Sequence, residues 1–430
     1  MPTSRGTQLQ TSATQPVLRP WLRAQAVNLE RHALALRDFR REEFGVGAES
    51  PTEGHIQAVN QLLGTLRTGL TASTRRLSEL VGTASEGPAR SALLAVLKHK
   101  NASHQQVRQI ERIWDFYLEL FGQRQSVFGT WLLSADRIAL DCYQDAYMGL
   151  GKEKSVPAPP PFNYMRTGFG PATYRRGIRL RQLGRELNPF PLIQLPYHRL
   201  VNPWTLGAIL HEVSHNLQSD LGLSHVVPRS IALHLTRAGL PVEVAQVWTR
   251  WNREIFADLS GLLLGGPAVV ASLMDVVGLA PEVVMNFNPA GVHPVPYLRV
   301  FLSIELLRRM SFEAEADKYQ RAWSALFPKA SSLLPEALVR TAKRAIELVV
   351  QAVCYQPFET LGKKALSQVY CCGQKEQRMI EEAAQRLGRG IDPGIVPERF
   401  LIGAARFALD NRLSSAELIR ENFYKELARR

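Results

Sequence analysis

Residues 202–217 read NPWTLGAILHEVSHNL. Asn202 offers a helix cap, and Pro203 suits the first helical position. Leu206, Ile209, Leu210, Val213 and Leu217 follow at helical spacing, which predicts an amphipathic helix opened by that pair. Inside it stand His211, Glu212, Val213, Ser214 and His215. Residues four apart share a helix face, so His211 and His215 can chelate one ion. Glu212 lies about 100° further round, from where it can reach the ion's fourth ligand. Two imidazoles that hold zinc and a carboxylate that takes a proton from water are the parts of a metal-assisted hydrolysis.

Such a site needs a third protein ligand. The extended pattern HExxHxxGxxH does not supply it: Gln218 occupies the glycine position and Leu221 the histidine position, with Asp220 one residue out of register. A glutamate from a following helix is the other source. Residues 242–264 read as one helix, with Val244, Val247, Trp248, Ile255, Leu259 and Leu262 as its apolar positions. It carries Glu254, Ile255, Phe256, Ala257 and Asp258, which places two acids four apart on one face of an apolar helix. Acids so placed demand a partner, and a metal is one. Glu254 is the candidate third ligand, and Asp258 the acceptor for a ligand histidine's ring N–H.

HExxH followed by ExxAD resembles the gluzincin peptidases of the HtpX and CAAX-protease type. Their third signature, a His-Pro with an Arg six residues after the His, has its counterpart in His293, Pro294 and Arg299 of HPVPYLR. The resemblance runs from His211 to Arg299. It implies one zinc per chain on His211, His215 and Glu254, with Glu212 as general base and Asp258 as orienter. It also implies that His293 and Arg299 lie near the substrate or the developing oxyanion. Tyr297 is an additional candidate for that last role, read from its place between them. Those families are commonly embedded in or anchored to membranes, so their membrane-linked substrates are not carried over. The expected substrate is a protein or peptide.

Upstream, residues 191–198 (PLIQLPYH) are short, apolar and bounded by prolines. They predict a strand that Pro196 confines to a sheet edge, where Leu192, Ile193, Gln194 and Leu195 could pair with an extended substrate. Before it, Pro157, Pro159, Pro160 and Pro161 mark a linker over residues 152–161. Residues 20–149 show four amphipathic runs: one through Leu22, Ala26, Leu29, Leu34 and Leu36, then residues 55–81, 89–121 and 127–147. Downstream, helices are expected over residues 313–326, 335–354, 376–387 and 414–427. The expected fold is therefore mainly α, a helical bundle flanking a gluzincin-like metallopeptidase core with a small sheet. Its divisions are a disordered tail over residues 1–20, an N-terminal helical domain over 21–150, the core over 151–310 and a helical region over 311–430.

The 430 residues are 45% hydrophobic and 21% charged, which excludes collagen-like and disordered classes. Four cysteines without CxxC spacing exclude a disulfide scaffold and a zinc knuckle. The longest apolar run, residues 259–277, is broken by Gly265, Gly266 and Pro267 and carries Asp275, so it reads as two buried helices rather than a membrane span. A cytoplasmic location is expected. The net charge of +13 and the arginines at 166, 175, 176, 179, 181 and 185, interleaved with Tyr164, Phe169 and Tyr174, open an alternative: a basic nucleic-acid-associated protein with a structural zinc site.

Overall fold

The computed structural model describes residues 15–87, 89–151, 155–168, 170–328, 334–370 and 372–430. Residues 1–14 of the expected tail, 152–154 of the proline-rich linker, Phe169 of the arginine-rich stretch and Cys371 lie outside these. Residues 15–20 of the expected tail are already helical.

The chain divides into two compact units. The smaller takes residues 1–125 and 177–189 and holds helices α1 (Gln15–Ala35), α2 (Glu53–Glu86) and α3 (Arg90–Gly122). Thr52 caps α2 by accepting from the His55 amide. Ile56, Leu63, Leu70, Leu77 and Ala84 recur every seventh residue along α2, and Val96, Ser103, Ile110 and Tyr117 do so along α3; all are buried. That repeat keeps one seam facing its neighbour along the full length of both helices. Leu22 and Leu29 of α1 and Leu36 directly after it are buried in the bundle, while Leu34 is exposed.

The larger unit takes residues 126–176 and 190–430. It starts with α4 (Gly129–Leu150), β1 (Phe162–Met165), β2 (Ala172–Tyr174) and β3 (Leu192–Leu195). Next come α5 (Tyr197–Val201), α6 (Gly207–Asp220), α7 (Val226–Arg237), α8 (Val242–Arg250), α9 (Asn252–Gly265) and α10 (Ala268–Val277). The rest are α11 (Pro281–Val284), α12 (Pro296–Arg309), α13 (Glu313–Leu326), α14 (Glu336–Val350), α15 (Leu366–Val369), α16 (Gln374–Gly388), α17 (Phe400–Asp410) and α18 (Ala416–Arg429). The expected boundaries at 150/151 and 310/311 both fall within this unit. Leu132, Ile138, Cys142 and Ala146 bury α4 in the core of the larger unit, and Arg399 near α17 pairs with Asp141 and Asp145 of α4. Among the described residues, no helix is long and apolar enough to cross a membrane.

The sheet corrects one expectation. Its order is β1-β3-β2, with β3 parallel to β1 and antiparallel to β2. Leu192, Ile193, Gln194 and Leu195 thus lie on the central strand, whose backbone already has partners on both sides. Pro196 follows the last paired residue and removes no ladder hydrogen bond, so its exclusion from central strands never applied. The half-buried β2 is an edge instead.

The helix expected over residues 242–264 is also two helices, broken at Trp251. Trp248 and Trp251 at the break are both buried, and α9 packs along α6. Gly261 makes that approach close: a Cβ there would sit 3.4 Å from the His211 amide nitrogen.

Candidate metal centre

Asn202 and Pro203 open a short 3-10 turn, Pro203–Thr205, and α6 itself begins at Gly207, later than the sequence suggests. Ile209, Leu210, Val213 and Leu217 are buried in the core, which turns His211, Glu212 and His215 toward α9. Their ring nitrogens and a carboxylate of α9 converge. His211 Nε2 lies 3.1 Å from His215 Nε2 and 3.5 Å from Glu254 Oε2, and His215 Nε2 lies 3.4 Å from Glu254 Oε1.

This triangle can be tested for zinc. Donors bound at about 2.0–2.2 Å to a tetrahedral ion stand about 3.3 Å apart, which is the spacing seen. The donor set is two imidazoles and one carboxylate, the set of zinc sites that keep a position open. The three side chains retain 16%, 17% and 13% exposure, so one side of the cluster reaches solvent. The residues fit the metal.

Behind the ligands lies a second row. Asp258 Oδ1 accepts from His211 Nδ1 at 2.9 Å, which leaves Nε2 aimed at the centre. Arg299 grips the same carboxylate with Nε to Oδ2 at 2.7 Å and Nη2 to Oδ1 at 2.8 Å, and its Nη2 stands 3.7 Å from Glu254. Burial opposes the charge on Asp258, but Arg299 and His211 outweigh it and hold the carboxyl below its usual range. Burial likewise opposes a proton on His211, yet its bonds to Asp258 and Glu254 raise it to about 10. His215 goes the other way, down to about 3, through burial and the neighbouring His211 charge. Glu212 is pushed up to about 7, chiefly by burial, with His211 pulling against it.

The three remaining candidates separate. His293 sits at the mouth, 70% exposed, with Nε2 3.7 Å from Glu254 Oε1. Arg299 points two of its donors, Nε and Nη2, at buried Asp258. Tyr297 lies two residues before Arg299 on α12, about 200° round the helix, and faces away from the centre. Its ring packs edge-on against Phe301, and it lines a cavity of about 670 Å³ with Ile304, Leu338 and Ile346.

Sequence reasoning missed Asn216, the residue after His215. Its Nδ2 donates to Thr173 Oγ1 at 2.8 Å, and Thr173 in turn donates to Leu192 O at 3.2 Å, which ties edge strand β2 to α6. No spacing rule marks it; only its position beside the motif could have drawn notice.

The arginine-rich stretch does not form one patch of either unit. Arg166, Arg175 and Arg176 belong to the larger unit, and Arg179, Arg181 and Arg185 to the smaller. Arg176 donates to the carbonyls of Ala158 and Pro159, and Tyr164 is buried with its hydroxyl on Gln194, out of reach of a stacking base. Compared with protein-family models, curated proteins and solved structures, the chain matches none.

Proposed function

We propose that this chain is a zinc-dependent metallopeptidase that hydrolyses peptide bonds in protein or peptide substrates. The observation that carries the reading is the convergence of His211, His215 and Glu254 at zinc-donor spacing, with a buried carboxyl, Glu212, on the same turn. Zinc, when bound there, supplies a Lewis acid that makes water more acidic and a carbonyl more electrophilic.

The chain's own groups do the rest. His211 and His215 present Nε2, and Asp258 fixes the first of these rings through Nδ1. Arg299 keeps Asp258 ionised and immobile. Glu212, poised near 7, takes a proton from the attacking water and returns it to the leaving amine. His293, at the mouth, can donate to the oxygen that gains charge as the carbonyl is attacked. An extended substrate would add to edge strand β2 rather than to β3. The buried, unpaired thiols of Cys142 and Cys354 suit a reducing cytoplasm.

Replacing Glu212 with Gln tests the assignment. The variant should keep its zinc and lose peptide turnover by about 10²–10⁴-fold. Near-normal turnover with zinc bound would remove Glu212 from the mechanism.

A further inference from the structure

The cavity of about 670 Å³ beside Tyr297 lies within the larger unit, between α12, α13 and α14. From α12 it takes Tyr297, Phe301, Ile304 and Arg308. At about 100° per residue these four stand roughly 140° to 200° round the helix from Arg299, so the cavity lies on the face of α12 turned away from the metal ligands. Leu338, Ala342 and Ile346, four residues apart on α14, form the facing wall. Arg309, late on α12, donates to Glu347 O and to Gln351 at the end of α14, while Tyr297 and Leu338 bring the early turns together. The two helices thus run side by side in the same sense. Tyr297 and Arg308 are about 16 Å apart along the axis, which makes the recess long and apolar-walled, with a volume typical of small-molecule sites.

The charged groups that line it are unevenly committed. Glu305 accepts from Arg309 Nε at 2.7 Å, and Glu347 meets Arg344 Nη1 at 3.3 Å. Arg308 Nη2 is shared by Asp317 at 2.7 Å and Gln320 at 2.6 Å. Lys343 also lines the cavity, is exposed, and has no ion-pair or hydrogen-bond partner among the described residues. With both acids answered by arginines, the charge left over is positive. A free ammonium at the rim of apolar walls complements an amphipathic anion, whose charge meets the lysine while its chain lies inside. The dimensions narrow the occupant further. Spread over about 16 Å, this volume leaves a cross-section of about 40 Å², too small for a partner helix about 10 Å across but wide enough for a single aliphatic chain.

We propose that this cavity binds a free aliphatic carboxylate of the medium-chain fatty acid class, with its chain between α12 and α14 and its carboxylate at Lys343. The site shares no residue with the metal ligands and stands apart from the metallopeptidase reading. A neutral chain of the same length would bury the same walls and leave Lys343 unanswered, so the carboxylate should be preferred.

The test titrates the full chain by calorimetry with octanoate, decanoate and dodecanoate below their micelle-forming concentrations. Decanol and decyltrimethylammonium serve as neutral and cationic controls. One ligand per chain is expected, with affinity rising by up to about fourfold per added methylene until the chain outgrows the cavity. Decanoate should bind roughly two- to fivefold tighter than decanol, with the cation weakest. Lys343→Gln should remove that difference and leave decanol as before. Ala342→Trp fills the cavity and should abolish binding of both; Val339→Trp, at another half-buried lining position, replaces it if circular dichroism shows Ala342→Trp to be poorly folded. No saturable binding, binding that survives a folded tryptophan variant, or decanol bound as tightly as decanoate would overturn the proposal. So would binding to vesicles of an anionic phospholipid without binding of the soluble acids. Metal content and peptide turnover do not enter these titrations, so this proposal and the metallopeptidase reading fail separately.

Discussion

Arg299 and Asp258 form a two-pronged, buried pair, Nε to Oδ2 at 2.7 Å and Nη2 to Oδ1 at 2.8 Å. The carboxylate so held is the one that accepts from His211 Nδ1. Lysine cannot reproduce that fork. Arg299→Lys should therefore weaken zinc binding about 10–100-fold, measured by competition against a chelator. Arg299→Met removes the charge as well and leaves Asp258 buried without its partner, which should cost about 3–5 kcal/mol of stability in urea unfolding. Unaltered zinc affinity in Arg299→Lys would mean that His211 is oriented by something other than this pair.

In the proposed centre, zinc and a proton would compete for His211. Its pKa in the folded, metal-free chain is about 10 against an ordinary 6.5, whereas His215 is down at about 3. Below about 10 the folded site holds one proton on His211 that zinc must displace, and His215 adds none. Zinc affinity should rise about tenfold per pH unit while the fold is intact below about 10, and level off there. The same raised pKa stabilises the metal-free fold, fully below about 6.5 and no longer once pH has risen through about 10. Dissociation constants at three pH values give the slope; a slope of zero or of two would contradict the assignment.

The candidate centre depends on α9 lying close to α6, and Gly261 stands at that contact. An Ala there would place its Cβ 3.4 Å from the His211 amide nitrogen and 3.5 Å from the Leu210 carbonyl carbon, already at van der Waals contact. Gly261→Val has nowhere to put its methyls without pushing the α6 backbone, an overpacking cost of about 1–3 kcal/mol. It should lower both the melting temperature and zinc affinity, because Glu254 withdraws with α9. Retained affinity in a destabilised Gly261→Val would show the ligands to be less dependent on this contact.

Asn216 and Thr173 hold β2 in place. Asn216→Ala removes that bond and should cost about 1 kcal/mol, more if Thr173 is left without a donor. Zinc content should stay at the wild-type level while KM for peptides rises. A double-mutant cycle with Thr173→Val reads the coupling directly; additive effects would deny the tether a role.

Much of the fold was legible because long amphipathic helices state their period plainly. The runs at residues 55–81 and 313–326 reappear as α2 and α13, and the ligand trio meets where two i, i+4 patterns predict that it should. Failures came where tertiary context decides. Pro196 reads as an edge marker, but whether a strand is an edge depends on β1 and β2, which the residues of β3 cannot reveal. The grip of Arg299 on Asp258 was not legible either, because position in a motif gives proximity without direction, and direction was set by Asp258 across the helix interface. Tyr297 failed by helix phase, since two residues from an inward Arg299 is an outward position. Asn216 acts through a partner forty-three residues away, with no local signal.

The most direct measurement is the metal content of the purified, folded protein, wild type and Glu254→Ala in parallel, by elemental analysis after dialysis against buffered zinc. Circular dichroism and unfolding curves establish that both are folded. About one zinc per wild-type chain, absent or much more weakly held in Glu254→Ala, is the predicted result. A well-folded wild type that takes up no zinc, or a Glu254→Ala variant that holds it as tightly, would contradict the centre proposed here and the peptidase built on it.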